Sequence, residues 1–123
     1  MVKTKCIYDP KSGDDGLRVL VTRYWPRGVK KEEQDRWFKD LGPQAELIKA
    51  WKAGAIGWDV FGKSYLAEFS SESKKEKLRE LKALVKAARG DVTLLCTCRE
   101  EDRCHRKLLK ELLARRSAAQ PGK

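Results

Sequence analysis

The chain has 123 residues and a formal net charge of +10, from 28 Lys and Arg against 18 Asp and Glu. Charged residues make up 37% of the chain, but the apolar residues recur periodically, which argues against a disordered protein. No apolar run reaches the roughly 18–20 residues of a membrane helix, and the N-terminus lacks an apolar signal region. We therefore expect a cytoplasmic protein with no membrane contact, and its charge favours anionic partners.

Two strands are predicted near the N-terminus. Residues 3–8 alternate between polar and apolar side chains, and Asp9-Pro10 ends this strand because proline cannot donate to a ladder. Residues 17–22, rich in Leu and Val, form the second strand. The sequence Arg-Tyr-Trp-Pro-Arg-Gly at residues 23–28 follows directly and predicts a stiff loop.

Four helices are predicted next, over residues 32–41, 43–54, 57–69 and about 71–88. Apolar residues recur in each at spacings of three or four, so their aromatic side chains are expected in the core. Pro43 suits the first turn of its helix, where a missing N–H costs nothing. Ser71 or Ser73 can cap the fourth helix, and Gly90 can end it.

The C-terminal part predicts a strand, a charged turn and a helix. The apolar run at residues 92–95 suits a strand buried on both faces. The helix is indicated by leucines at helical spacing, at Leu108, Leu109, Leu112 and Leu113. Asp102 can serve as its N-cap, which would place Cys104 and His105 in its first turn.

These elements predict a single α/β domain over residues 1–116, with a small, mostly parallel sheet flanked by helices and a frayed tail at 117–123. The helices between the second and third predicted strands then form one long right-handed crossover. Ligands of open parallel sheets bind outside the carboxyl ends of the strands. The loops at 23–28 and 98–105 are therefore expected to face one crevice.

Reactive side chains converge on that predicted crevice. Cys98 and Cys104 are candidate nucleophiles or redox groups, since a helix N-terminus and nearby arginines lower the pKa of a thiol. His105 is the candidate base or proton relay. The candidate substrate-binding residues are Arg23, Trp25, Arg27 and Arg106. The unpaired N–H groups of a helix start, together with arginines, favour a small anionic ligand. The sequence thus predicts an anion-binding crevice with reactive thiols, which would suit an enzyme acting on a small anionic substrate.

Two other functions stay open. Cys96, Cys98, Cys104 and His105 supply soft ligands for a metal, but no Cys-x-x-Cys knuckle is present. His105 should also point about 100° away from Cys104 around a helix axis, so we predict no bound metal and no other cofactor. Cys96 alone is expected to be a small buried hydrophobe. The net charge allows a nucleic-acid-binding module, although no helix-turn-helix, zinc-finger or aromatic-strand signature is present.

Several segments together resemble a known family. They are residues 7–10 (Ile-Tyr-Asp-Pro), residues 16–28 with their Arg-x-Trp-Pro-Arg-Gly element, residues 40–43, residues 58–69, and Cys-His-Arg at 104–106. The chain resembles the domain-of-unknown-function 488 family, in particular its YeaO-like members. The resemblance implies an α/β fold and a cysteine-bearing site, catalytic or metal-binding. It does not imply a particular reaction.

Overall fold

The computed structural model describes residues 2–88, 90–97 and 104–114, and it confirms the predicted α/β class. In this part of the chain the strands are β1 (Val2–Cys6), β2 (Leu17–Leu20), β3 (Arg36–Trp37) and β4 (Val92–Cys96). Every pairing between them is parallel, and the strand order is β1-β4-β2-β3. The helices are α1 (Ala45–Lys52), α2 (Trp58–Ala67), α3 (Glu72–Ala87) and α4 (His105–Ala114).

One face of the sheet packs against helices α3 and α4, and we call it the helix-covered face. Strand β4 lies in the middle of the sheet, and all five of its residues are buried, as its apolar sequence predicts. The core on this face joins β2 and β4 to Leu81 of α3 and Leu109 of α4. Its buried members are Val19, Val21, Phe38, Leu41, Leu81, Val92, Leu94 and Leu109.

The opposite face is covered by the segments before and after β2, and we call it the loop-covered face. Its apolar cluster is smaller and consists of Ile7, Leu20 and Leu95, with Val29 packed against them. Beside this cluster the guanidinium of Arg18 is buried and forms an ion pair with Asp15. Arg18 Nε also donates to the carbonyl of Glu33 (2.5 Å). Charge pairing therefore accompanies apolar packing on this side of the sheet.

The helix predicted over residues 32–41 is wrong. Two short 3-10 turns, Lys31–Glu33 and Lys39–Leu41, flank strand β3 instead. The backbone of this segment pairs with the edge of β2, because the amides of Asp35 and Phe38 donate to the carbonyls of Arg18 and Leu20 (both 2.8 Å). Phe38 and Leu41 are buried as predicted, whereas Trp37 is 39% exposed. The long crossover consequently leads from β3, not β2, to β4.

The remaining boundaries differ by a few residues from those predicted. Strands β1 and β2 end two residues early, at Cys6 and Leu20. The N-cap of α3 is Ser71, whose hydroxyl accepts from the amide of Lys74 (3.3 Å). Helix α4 begins at His105, so Cys104 precedes it. The predicted cap Asp102, the turn at 99–103 and the tail at 117–123 lie outside the described residues. Among the described helices, none is both long and apolar enough to cross a membrane.

Candidate functional site

A crevice of about 240 Å³ opens at the carboxyl ends of β2 and β4. Three parts of the chain line it. The loop after β2 contributes residues 22–26, and the end of β4 with the start of α4 contributes Cys96, Thr97, Cys104 and His105. The third part carries Pro43, Ile48, Trp51, Lys52 and Phe61. The loop after β2 and the cysteine-bearing segment therefore share one crevice, although about 70 residues separate them in sequence.

Two thiols and the imidazole form a compact group, which we call the thiol–imidazole cluster: Cys96, Cys104 and His105. Nδ1 of His105 lies 3.8 Å from Sγ of Cys96 and 3.9 Å from Sγ of Cys104. All three potential ligand atoms lie within 4.8 Å of one another, and all three residues are buried. Both cysteines are thiols rather than disulfides. Cys96 ends β4, which brings it to this junction.

The tautomer of His105 follows from its contacts. Nε2 lies 2.6 Å from the carbonyl oxygen of Val21, at the end of β2. A carbonyl only accepts hydrogen bonds, so Nε2 carries the proton and the lone pair of Nδ1 faces the two sulfur atoms. The ring also packs edge-on against Tyr65, at 5.4 Å between centroids. His105 is thus held in the orientation that directs Nδ1 at the thiols.

The expected divergence of Cys104 and His105 is wrong. It assumed that both residues lie in the first turn of the helix, about 100° apart around its axis. Helix α4 begins only at His105, so the helix geometry does not fix the direction of the Cys104 side chain. Its sulfur lies 3.9 Å from Nδ1 of the neighbouring histidine. The adjacent pair therefore converges on one point.

Arg23 and Lys74 support the wall of the crevice near Pro43. Arg23 donates from Nε to the carbonyl of Pro43 (2.7 Å) and from Nη2 to that of Gly42 (3.1 Å). Lys74 Nζ donates to the same Gly42 carbonyl (2.8 Å) and pairs with Glu68. Burial lowers the pKa of Lys74 from its ordinary value, although the hydrogen bond that Lys74 donates to Glu68 opposes that shift. Arg23 uses part of its donor set to shape this wall.

The predicted site residues are distributed unequally. Four of them, Arg23, Trp25, Cys104 and His105, line the crevice. Trp25 is anchored there by a hydrogen bond from Nε1 to the carbonyl of Val29 (2.9 Å).

Two other predicted site residues do not line the crevice. Arg27 is exposed, and its carbonyl accepts from the hydroxyl of Tyr8 (3.0 Å). Arg106 is buried, 4% exposed. Cys98 lies outside the described residues.

Sequence reasoning favoured a packing role for Cys96 and for the aromatic residues of the helices, and did not place them in the crevice. Cys96 is buried as expected, but its sulfur also faces His105. Trp51 and Phe61 lie in an aromatic group with Trp58, with centroids 5.3–5.8 Å apart, and also line the crevice. Their helical spacing is that of core residues, so no local signal separates a lining residue from a packed one. For Cys96 the one local signal was its spacing of two residues from Cys98, which places both on the same face at the end of the predicted strand.

The matched family model is described as the active DUF488-N3 subclade, DUF488-N3a, and it covers residues 2–117. The chain belongs to this family. The match spans every residue that lines the crevice, and it agrees with the family that the sequence motifs resemble.

Several individual proteins are similar to this chain over most of their length. The uncharacterized protein YeaO of Escherichia coli K12 is 33% identical over 115 residues, covering 91% of this chain and 96% of YeaO. The uncharacterized proteins Rv3073c of Mycobacterium tuberculosis and Mb3100c of Mycobacterium bovis are each 32% identical over 114 residues, covering 91% of this chain and 92% of the relative. No solved structure matches the chain at a significant level. The function must therefore be argued from the site.

Proposed function

We propose that the protein is an enzyme that acts on a small anionic molecule held in the crevice. The observation that carries the proposal is the composition of the lining, where the thiol–imidazole cluster lies among aromatic and proline side chains. A concave, mostly apolar pocket with a few convergent polar groups is the usual form of a small-molecule site. Reactive side chains in such a pocket are the usual mark of an active site.

The size and walls of the crevice favour a small substrate with an apolar part. A volume of about 240 Å³ accommodates a small molecule and not a length of polymer. Trp25, Trp51 and Phe61 offer ring surfaces against which an apolar or flat group can pack. Pro26 and Pro43 have fixed backbone φ angles, which reduces the entropy lost when the walls order around a ligand.

The charged lining residues favour an anionic group on that substrate. Arg23 and Lys52 line the crevice, and no Asp or Glu is among its described lining residues. Arginine has five N–H donors, so Arg23 retains donors beyond the two that bind Pro43 and Gly42. Lys52 lies at the exposed end of α1, where its amine can reach a ligand at the crevice mouth. Arg27 and Arg106 contribute at most through their longer-range charge.

A titration with inorganic phosphate and with benzoate, followed by NMR, tests the proposal. We expect the indole N–H signals of Trp25 and Trp51 to shift, more strongly for benzoate because it carries an aromatic ring. Lys52→Ala should weaken binding by about 1 kcal/mol, roughly a fivefold rise in Kd, since the lysine is exposed. Lys49→Ala is the matched control, because Lys49 lies on the same helix away from the lining. Unmoved indole signals, or equal losses in the two variants, would contradict the proposal.

Nucleic-acid binding is the second candidate, and a separate surface favours it. Tyr8 and Tyr24 are 45% and 60% exposed, and Tyr8 contacts the exposed residue Arg27. Aromatic side chains beside arginine form stacking surfaces for single-stranded nucleic acid. Binding of a mixed-sequence single-stranded oligonucleotide should then weaken in Tyr24→Ala and fall with rising salt. Val60→Ala removes another exposed apolar side chain, on α2, and should bind as the wild type does.

A further inference from the structure

We infer that the thiol–imidazole cluster is the binding site for one divalent, thiophilic metal ion of the zinc class. Its ligands would be Sγ of Cys96, Sγ of Cys104 and Nδ1 of His105. The inference needs only these three residues, and it holds whether or not the crevice binds an anion. Two sulfur atoms and one imidazole nitrogen are a donor set that zinc prefers over magnesium or calcium.

The distances between the donors suit a tetrahedral ion. Zinc bonds of about 2.3 Å to sulfur and about 2.0–2.1 Å to nitrogen separate a sulfur and a nitrogen ligand by roughly 3.6 Å. In the protein the two sulfur–Nδ1 separations are 3.8 and 3.9 Å. All three donor atoms fall within 4.8 Å of one another. Zinc–sulfur bonds of about 2.3 Å in a tetrahedron place two sulfur ligands roughly 3.8 Å apart. The sulfur–nitrogen separations therefore need shifts of a few tenths of an ångström, and the sulfur–sulfur separation needs a shift of at most about 1 Å.

The outer contact of His105 is the one that metal-binding histidines make. A ligating histidine almost always donates its other ring N–H to a carbonyl or carboxylate, which sets the tautomer and aims the ring. Here Nε2 donates to the carbonyl of Val21 (2.6 Å), and the unprotonated Nδ1 is aimed at both thiols. A thiol that is only a nucleophile needs one histidine partner. Two thiols sharing one nitrogen favour a metal ion over a single cysteine–histidine pair.

The three donor residues lie at the wall of the crevice, so a fourth ligand would reach the ion from the crevice. Within residues 2–88, 90–97 and 104–114, no additional His, Cys, Asp or Glu joins the three donors. All three donor residues also line the crevice. Zinc sites with three protein ligands keep the fourth place for water or for a substrate oxygen, whereas structural sites are closed by four. An ion held by these three donors alone would be of the catalytic type, with its fourth position directed at the proposed substrate.

Cobalt substitution of the full-length protein provides the first test. After removal of metal with a chelator, Co²⁺ should bind at one equivalent per chain and give thiolate-to-cobalt charge-transfer absorption with strong visible bands, the signature of tetrahedral coordination. Zn²⁺ should displace it. Cys96→Ser, Cys104→Ser and His105→Gln should each lower the affinity at least about tenfold to a hundredfold. Binding that survives all three substitutions would overturn the site.

Cys6→Ser is the matched control for these variants. Cys6 is 2% exposed like Cys96, pairs with it in register on the neighbouring strand, and is not part of the cluster. Its substitution should leave the affinity and the spectrum unchanged. Cys98→Ser should also bind with near wild-type affinity if the fourth position is open. A loss as large as that of Cys96→Ser would show a closed four-ligand site and refute the open position.

X-ray absorption at the zinc edge tests the ligand set without any substitution, and so does not depend on variants that fold. The zinc-loaded wild-type protein should show two sulfur atoms at about 2.3 Å and lighter atoms at about 2.0–2.1 Å. A shell of nitrogen and oxygen alone, or one with three sulfur atoms, would contradict the assignment. Phosphate or benzoate binding that fails while the metal binds as expected would instead refute only the proposed substrate.

Discussion

The two faces of the sheet are built on different chemistry, although they share the same strands. Among the described residues, the core of the helix-covered face contains eight buried apolar residues, including Leu94 of β4 and Leu109 of α4. The cluster on the loop-covered face contains three, and next to them lies the ion pair of Arg18 with Asp15. Helices can bring a broad apolar stripe to a sheet, whereas loops bring few apolar side chains and many polar backbone groups.

This difference explains where the thiol–imidazole cluster lies. Cys96 follows Leu94 on the same side of β4, and His105 begins the helix whose Leu109 enters the same core. Close-packed interiors hold side chains in fixed rotamers, so the apolar core fixes the elements that carry the cluster, and its member Val21 also contacts His105 through its carbonyl. The loop-covered face depends on charge pairing and carries no group of this kind among its described residues. The helix-covered face is therefore the scaffold of the site.

Truncating one leucine on each face gives the largest expected effects. Leu94→Ala should lower the free energy of unfolding by about 2–5 kcal/mol, because helices on one side and strands on the other prevent collapse of the cavity. Leu20→Ala removes the same atoms from an equally buried position under loops, which can settle, so its loss should be smaller. Urea denaturation measures both. Equal losses would mean that the two faces are packed alike.

Removing the charge of Asp15 tests the ionic character of the loop-covered face. Its carboxylate accepts from Arg18, from Lys5 Nζ (3.0 Å) and from the amide of Ser12 (3.0 Å). Asp15→Asn should cost about 1.5–3 kcal/mol at neutral pH, the scale of hydrogen bonds to charged groups, since Arg18 stays buried. The control is Asp14→Asn, where an exposed carboxylate paired with Lys3 is lost and a clearly smaller change is expected. Similar stability of both variants by thermal unfolding would contradict this assignment.

Gly42 and Gly62 test how closely neighbouring parts of the chain approach one another. A Cβ at Gly42 would lie 2.3 Å from the amide nitrogen of Arg23, so Gly42→Ala should cost about 1–3 kcal/mol and disturb the crevice wall. Gly62 lies within α2 and has ordinary contact space, 3.6 Å from Leu108. Gly62→Ala should stabilise the protein by up to about 1 kcal/mol through helix propensity. Differential scanning calorimetry distinguishes the expected destabilisation of Gly42→Ala from the expected stabilisation of Gly62→Ala. A Gly42→Ala variant as stable as the wild type would contradict the close approach of the two backbones.

The smallest expected effect is a change in stability at acid pH that comes from the carboxylate of Asp15. Burial raises the pKa of Asp15, but hydrogen bonds from Ser12, Lys5 and Arg18 outweigh it and hold the pKa below its usual 3.8. Its stabilisation is therefore complete above pH 3.8 and is lost as the pH falls through the lowered pKa of the folded state. The stability gap between wild type and Asp15→Asn should narrow over that window. A gap that stays constant down to low pH would argue that Asp15 is not preferentially charged in the folded protein.

The predictions succeeded where the local pattern matches the tertiary environment. The apolar run of β4, the leucine spacing of α4 and the Ser71 cap of α3 are each determined by neighbours in sequence. The helix prediction for residues 32–41 was wrong. The helix-like spacing of Trp37, Phe38 and Leu41 contains no information about the edge of β2, which forms hydrogen bonds with this segment. A two-residue strand is specified by its partner and not by its own propensity.

The sequence by itself determined the α/β class and the family, and it directed attention to the junction after the third predicted strand. It determined these because hydrophobic period and short motifs are local properties of a chain. Only the tertiary structure decided that Cys96, Cys104 and His105 converge and that the carbonyl of Val21 selects the tautomer of His105. Those contacts join residues up to 84 positions apart, and their directions depend on strand order and on the residue at which α4 begins. The spacing of residues along the chain predicts neither the strand order nor the first residue of α4.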